Sequence, residues 1–273
     1  MLKQRLLTAA VLIPLVVFSI LYLPTSIVQW LLAGIVILAA LEWFTIIGFK
    51  SGPKTLFALL VLTLITVLMY VVPSMFLLLF AVFIWAIILV VVKRYAHISL
   101  PSEYRKALIQ PVIALVLASL MLALFWHSAV LLHATTDGPK HFLYILVLVW
   151  LADTGGYFAG KRWGKTKLAK AISPNKTWEG VAGAIVLGIT WSFIGYSFGI
   201  SGTIGLLAWL LLSLVALLIS IVGDLFESLF KRAHHVKDSG NLLPGHGGIL
   251  DRIDSLLAAV PVYTAGIFWL GAS

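Results

Sequence analysis

The sequence predicts an all-α, polytopic membrane protein with about nine transmembrane helices, its N-terminus cytoplasmic and its C-terminus on the opposite side. Three observations lead there. Of the 273 residues, 62% are hydrophobic and only 11% are charged, against roughly 45–50% and about 25% in soluble domains. The mean hydropathy of +1.09 is more apolar surface than a water-soluble fold of this size can hide. The apolar residues also fall into runs near the ~20 residues that cross a bilayer as helix.

The first run, roughly 6–23, follows Lys3 and Arg5 as a signal peptide would. It is long for such a segment and lacks a small-residue cleavage site before Gln29 and Trp30, so it reads as a retained helix. The second covers roughly 27–47. The third and fourth, roughly 55–72 and 74–92, meet at Val72-Pro73-Ser74, where Pro73 cannot continue a helix without losing a hydrogen bond. The rest lie at roughly 108–126, 142–160, 181–200, 204–222 and 255–271. Placing the N-terminus inside leaves Lys140 alone, among 19 Lys and Arg, on the outer side. Eight or ten spans would scatter these charges. The net charge of +9 therefore reflects topology, and no nucleic-acid partner is expected. Cys is absent, which excludes disulfides, thiolate metal sites and a Cys nucleophile.

Two inner connections are long, about 161–180 and 223–254. The outer connection, about 127–141, holds His127, His133 and His141 with Asp137. That spacing matches no metal-ligand pattern, and interfacial polar residues explain it more simply. Of the ten carboxylates, Glu103 and Asp137 read as solvated charges, and Glu42 lies in the second span near its inner end. Asp153, Glu179, Asp224, Glu227, Asp238, Asp251 and Asp254 all gather at the inner face. Acids within membrane helices are costly and are functional candidates, which singles out Asp153 and Asp224.

Acids and many Lys and Arg on one face are the materials of phosphoryl chemistry: carboxylates hold Mg²⁺, bases offset phosphate charge, and glycines let backbone N–H groups approach phosphate. The stretch "KDSGNLLPGHGGILDRID", 237–254, offers all three. Gly245, Gly247 and Gly248 flank His246 ahead of a helix, and Asp251 and Asp254 share one face of it. By spacing alone this is equally a capped helix after a turn. Gly164-Lys165-Thr166 suggests a P-loop, but Ala159 stands where the first Gly is required and no strand precedes it. "SPNKTWEG", 173–180, is the better phosphate candidate: Ser173, Asn175 and Thr177 can donate and Lys176 can pair. A helix cap with Glu179 in its first turn explains the same residues.

The stretch "SLFKRAHHVKDSGNLLPGHGGILDRID", 228–254, resembles the signature of the CDP-diacylglycerol synthase, or phosphatidate cytidylyltransferase, family. Ser228, Lys231, Arg232, Lys237, Asp238, Gly240, His246, Gly247, Gly248, Asp251, Arg252 and Asp254 each match its pattern without departure. "GDLFES", "DTGGYFAGKRWGK" and "SPNKTWEG" are similar to further family segments, so the close resemblance covers roughly the C-terminal half. It implies the reaction of CTP with phosphatidate to give CDP-diacylglycerol and pyrophosphate, a divalent metal, normally Mg²⁺, and a homodimeric multi-helix membrane enzyme; the mechanism leaves room for a second cation between carboxylates, and the Lys and Arg count faces the active site to the cytoplasm from the inner membrane. The resemblance also implies Asp224 and Asp251 as the metal ligands. Within that reaction we assign Asp254 to orienting or ligating, and Lys237 and Arg252 to phosphate contacts. Lys231 and Arg232 would attract the lipid headgroup, Ser173, Asn175 and Lys176 would hold the phosphates of CTP, and His246 with Gly247 and Gly248 would face pyrophosphate. The chain then divides into N-terminal transmembrane helices over 1–92, middle helices and a cytoplasmic loop over 93–180, and C-terminal catalytic helices over 181–273.

Two other readings compete. A cation-coupled transporter would use Asp153, Asp224 and Glu42 as an ion path, but it needs polar groups near mid-membrane and access from both faces. A CDP-alcohol phosphotransferase needs Asp-Gly-x-x-Ala-Arg, whereas Asp137-Gly138 runs into Pro139-Lys140-His141-Phe142. The His-x-Gly-His motif of soluble cytidylyltransferases is also missing.

Overall fold

The structure, a computed structural model, describes residues 2–98, 106, 108–240 and 247–271, with side chains from residue 10 onward. Among the described residues there are nine long helices: α1 (Leu2–Tyr22), α2 (Thr25–Ile46), α3 (Gly52–Met69), α4 (Ser74–Tyr95), α5 (Pro111–His133), α6 (Gly138–Trp163), α7 (Trp178–Ser197), α8 (Leu206–Ala233) and α9 (Leu250–Trp269). Seven of them, α2 to α8, are long and apolar enough to cross a bilayer. The chain is thus an all-helical, multi-pass membrane protein. Helix α9 carries Asp251, Arg252 and Asp254 in its first turns and is buried over most of its length, between α2, α4, α5, α6 and α8. Buried apolar residues from Ile20 to Ile267 join one cluster.

Each expected span has its helix, and Pro73 sits at the N-cap of α4 as the turn required. The boundaries differ where hydropathy and helix part company. Helix α8 continues to Ala233, about a further three turns past the expected end. Its inner turns are charged but not lipid-exposed: Glu227 pairs with Lys231 at 2.8 Å, one turn apart, and this flank packs on α9. Hydropathy marks only the part of a helix that lipid solvates.

The inner connection after α6 is not an irregular loop. Strands β1 (Lys167–Ala169) and β2 (Ser173–Thr177) form an antiparallel hairpin, pairing Lys167 with Thr177 and Ala169 with Ser173 across an irregular register. It closes on α7. Thr177 Oγ1 accepts from Gly180 N at 3.2 Å, and the Glu179 carboxylate accepts from Thr166 N at 3.1 Å. The helix cap read from this segment is therefore real, with Thr177 as the capping residue.

The outer histidines serve packing. His133 Nε2 donates to Ile20 O at 2.9 Å, which leaves Nδ1 to accept from Thr25 Oγ1 at 2.9 Å. This pins the α1–α2 turn to α5. His141 Nδ1 meets Tyr263 OH at 2.9 Å. Both rings are buried rather than interfacial. Asp137 pairs with Lys140 at 2.7 Å, and that bond holds its carboxyl below the usual range.

Candidate active site

Small residues bring the inner ends of α6 and α7 into backbone contact. A Cβ on Gly183 would lie 2.3 Å from Ala159 Cβ and 2.6 Å from Gly155 O. Close packing of this kind, through small residues a turn apart, is how membrane helices associate without a hydrophobic drive. The hairpin then folds over the paired ends. Between α6, the hairpin, α7 and α8 lies a cavity of ≈ 670 Å³. Its polar wall includes Asp153, Lys167, Ser173, Asn175, Lys176 and Asp224, and its apolar wall includes Val181, Ala184 and Ile221.

Asp224 and Lys176 form an ion pair across this cavity, each about a quarter exposed (26%). Ser228 Oγ donates to Asp224 Oδ1 at 3.4 Å. Gly223 sets the depth of Asp224: a Cβ there would lie 2.6 Å from Asp254 O, so α8 rests directly on the first turns of α9. Asp254 is half-buried beside this contact, and its charged neighbours are Asp224, Glu227 and Lys176. The structure thus gathers Ser173, Asn175, Lys176 and Asp224 in one cavity. Asp153, a candidate acid not tied to the signature, lies in the same wall.

The signature stretch forms a second, adjoining cluster. Lys231 Nζ bridges Glu227 at 2.8 Å and Asp251 Oδ1 at 2.8 Å. Asp251 Oδ2 accepts from Gly248 N at 2.9 Å and Ser239 N at 3.3 Å. Gly247 has φ +81°, and a Cβ on it would press within 3.0 Å of Asp251 Oδ2, so glycine is required twice over. Neither Asp251 nor Lys231 lines the cavity. Arg232, Lys237 and Arg252 are exposed and lie outside its lining, although Arg252 is an electrostatic neighbour of Asp153. His246 lies outside the described residues. Among the described residues no group of three or more His, Asp or Glu is arranged to hold a metal.

Aromatic contacts fix this end of α8. Trp43 of α2 packs edge-on against Phe230 at 5.4 Å, and Trp85 of α4 against Phe226 at 6.1 Å. His234, just past α8, lies against Phe230 at 4.6 Å. Burial pushes its imidazole below the ordinary pKa, so it adds no standing positive charge beside Lys231 at neutral pH.

Glu227 had escaped the sequence reading as the partner of Lys231, although its i,i+4 spacing to Lys231 is a signal for such a pair. Glu42 reads in the sequence as an acid near the inner end of the second span and as a member of a transporter's ion path. It is 5% exposed, and its Oε2 accepts from Leu250 N at 2.8 Å. No feature of sequence spacing links those two positions.

Comparison with known proteins extends over the whole chain. The model of the cytidylyltransferase family matches residues 3–270. A phosphatidate cytidylyltransferase of Pseudomonas aeruginosa is 37% identical over 98% of this chain and 97% of its own length. One from Haemophilus influenzae is 35% identical over 99% of this chain and 100% of its own. One from Bacillus subtilis is 46% identical over 45% of this chain and 46% of its own length. Matched from end to end, the chain belongs to the phosphatidate cytidylyltransferase family, within the cytidylyltransferases, and is a nucleotidyltransferase.

Proposed function

We propose that the protein transfers the cytidylyl group of CTP to phosphatidate, giving CDP-diacylglycerol and pyrophosphate. One observation carries this reading: a cavity at the inner helix ends that joins a polar wall of Lys, Ser, Asn and Asp side chains to an apolar one. The full-length relatives, named for that activity, supply the substrates. An oxygen of the phosphatidate phosphate attacks the α-phosphorus of CTP in line. The bond from that phosphorus to the bridging oxygen breaks, and pyrophosphate leaves with the electron pair. The attacking phosphate is already anionic, so no strong base is needed and positioning with charge neutralisation does the work.

In this reading Lys176, Ser173 and Asn175 hold the phosphates of CTP. Arg232, Lys237 and Arg252, exposed outside the cavity lining, draw in the anionic headgroup, while Val181, Ala184 and Ile221 face its glycerol and acyl ends. His246, Gly247 and Gly248 remain candidates for the pyrophosphate side. Mg²⁺ needs only one or two protein carboxylates, with phosphate and water completing its shell. Asp224 fits that requirement, since it stands in the cavity wall beside Lys176. Asp251 would serve as a second ligand through Oδ1, in competition with its ion pair to Lys231, while Oδ2 stays held by two loop N–H groups. Bound there, Mg²⁺ would neutralise phosphate charge and polarise the α-phosphoryl group. Asp254 orients Asp224 from the adjoining turn.

The cavity faces the cytoplasm, a reading that the sorting of Lys and Arg supports, and the inner membrane is the expected location. A homodimer follows from the family resemblance and is checked by cross-linking in membranes. The function itself is tested by supplying purified protein with phosphatidate, CTP and Mg²⁺. CDP-diacylglycerol should accumulate in step with pyrophosphate; tight lipid binding without turnover would sink the proposal.

A further inference from the structure

Helix α9 begins without a cap of its own. No side chain at its N-cap position, Ile249, bonds the first turn. The first turn of a helix leaves backbone N–H groups unsatisfied, and a buried one must find an acceptor. Here the acceptor comes from α2: Glu42 Oε2 takes the Leu250 N–H at 2.8 Å and the Ser239 hydroxyl at 3.3 Å. The loop backbone closes on that carboxylate from two sides. A Cβ on Gly240 would lie 2.5 Å from Glu42 Oε1, and one on Gly248 would lie 2.5 Å from Oε2. Asp251 grips the same two points through Ser239 N and Gly248 N. Two carboxylates, one from α2 and one from α9, therefore clasp both ends of the signature loop. Trp43, the next residue on α2, is fully buried against Phe226 and Phe230 and fixes where Glu42 can reach.

We infer that Glu42 is a positioning residue for the reaction: it anchors the described flanks of the signature loop, at Ser239 and Leu250, and the first turn of α9, and through them Asp251, Arg252 and Asp254. The inference rests on the proposed reaction for what the loop does, but not for the clasp itself. It separates two contributions. The nucleotide cavity is built by α6, the hairpin, α7 and α8, none of which Glu42 is seen to bond. Loss of Glu42 should therefore slow turnover far more than it weakens nucleotide binding, which the loop shares only on the pyrophosphate side.

The test uses full-length protein in detergent with two readouts. In Glu42→Ala, peptides spanning 239–256 should exchange backbone hydrogen faster, with α6 and α7 peptides unchanged. kcat should fall on the order of 10²-fold, as small misplacements of reacting groups do. KM for CTP should move less than about threefold, the pattern of a group acting on turnover rather than on binding. Glu42→Gln keeps an acceptor oxygen at the same reach and should recover most of both. Glu42→Asp is a methylene short of Leu250 N and should not, so this pair decides if the Ala variant fails to fold. Folded Glu42→Ala with wild-type kcat, parallel losses in kcat and CTP binding, or unchanged exchange over 239–256 would each overturn the inference. Wild-type protein that makes no CDP-diacylglycerol would instead defeat the proposed reaction, while hydrogen exchange would still report on the clasp.

Discussion

Asp224 and Lys176 stand 48 positions apart in sequence and meet across the cavity as an ion pair. Both residues are conspicuous in the sequence, one as an acid inside a span and the other within "SPNKTWEG". Their partnership is not legible there, because it depends on how the hairpin folds back over α8. Replacing Asp224 with Asn keeps the shape and removes the charge. The expected loss in kcat is about 10²–10³-fold, the range for deleting one preorganised electrostatic group. Initial rates at saturating CTP, with circular dichroism to confirm the helices, check this. Activity within a few-fold of wild type would remove Asp224 from the essential groups. Asp251 illustrates the opposite case. The motif marks it as special, but two of its three hydrogen bonds organise loop backbone, through Ser239 N and Gly248 N, and the third pairs it with Lys231, a role that no pattern of spacing distinguishes from ligating a metal.

At the scale of elements, the helices were legible and the hairpin was not. Long apolar runs need few assumptions, since the bilayer sets their length. Strands of three and five residues, rich in Lys and broken by Pro174, show no alternation to read; their pairing comes from closure onto the start of α7. The contact between α6 and α7 is equally specific. Gly183→Val would push against Ala159 and the Gly155 carbonyl, and overpacking of this kind costs roughly 1–3 kcal/mol. We expect a lower melting temperature in detergent and a loss of activity as the cavity walls part. Gly34→Ala is the control, because nothing lies within 4 Å of its added Cβ. Equal melting temperatures for the two variants would show that the small-residue contact does not hold the cavity together.

At the scale of the whole molecule, the charges define two faces. Lys165, beside the cavity-bearing hairpin, and Lys140, at the start of α6, lie at opposite ends of one helix. The native chain has no Cys, so single cysteines report sidedness without background. Lys165→Cys should react with an impermeant maleimide only in inverted vesicles, and Lys140→Cys only in right-side-out cells. The reverse pattern would turn the cavity away from cytoplasmic CTP. The sequence predicts this orientation from Lys and Arg, which sort by physics that acts on individual loops. It carried helix packing poorly: the burial of α9 among five neighbours depends on all of them at once.

The clasp between Glu42 and Leu250 also has a temporal side. Helix α2 emerges from the ribosome long before α9, so its carboxylate must wait in or near the bilayer without its two donors, an unfavourable state for a charged side chain. The last helix satisfies it, and the same event shapes the loop beside the cavity. Until α9 packs, that acid stands among the spans without the Leu250 and Ser239 donors, so docking of α9 and satisfaction of the buried acid are one step.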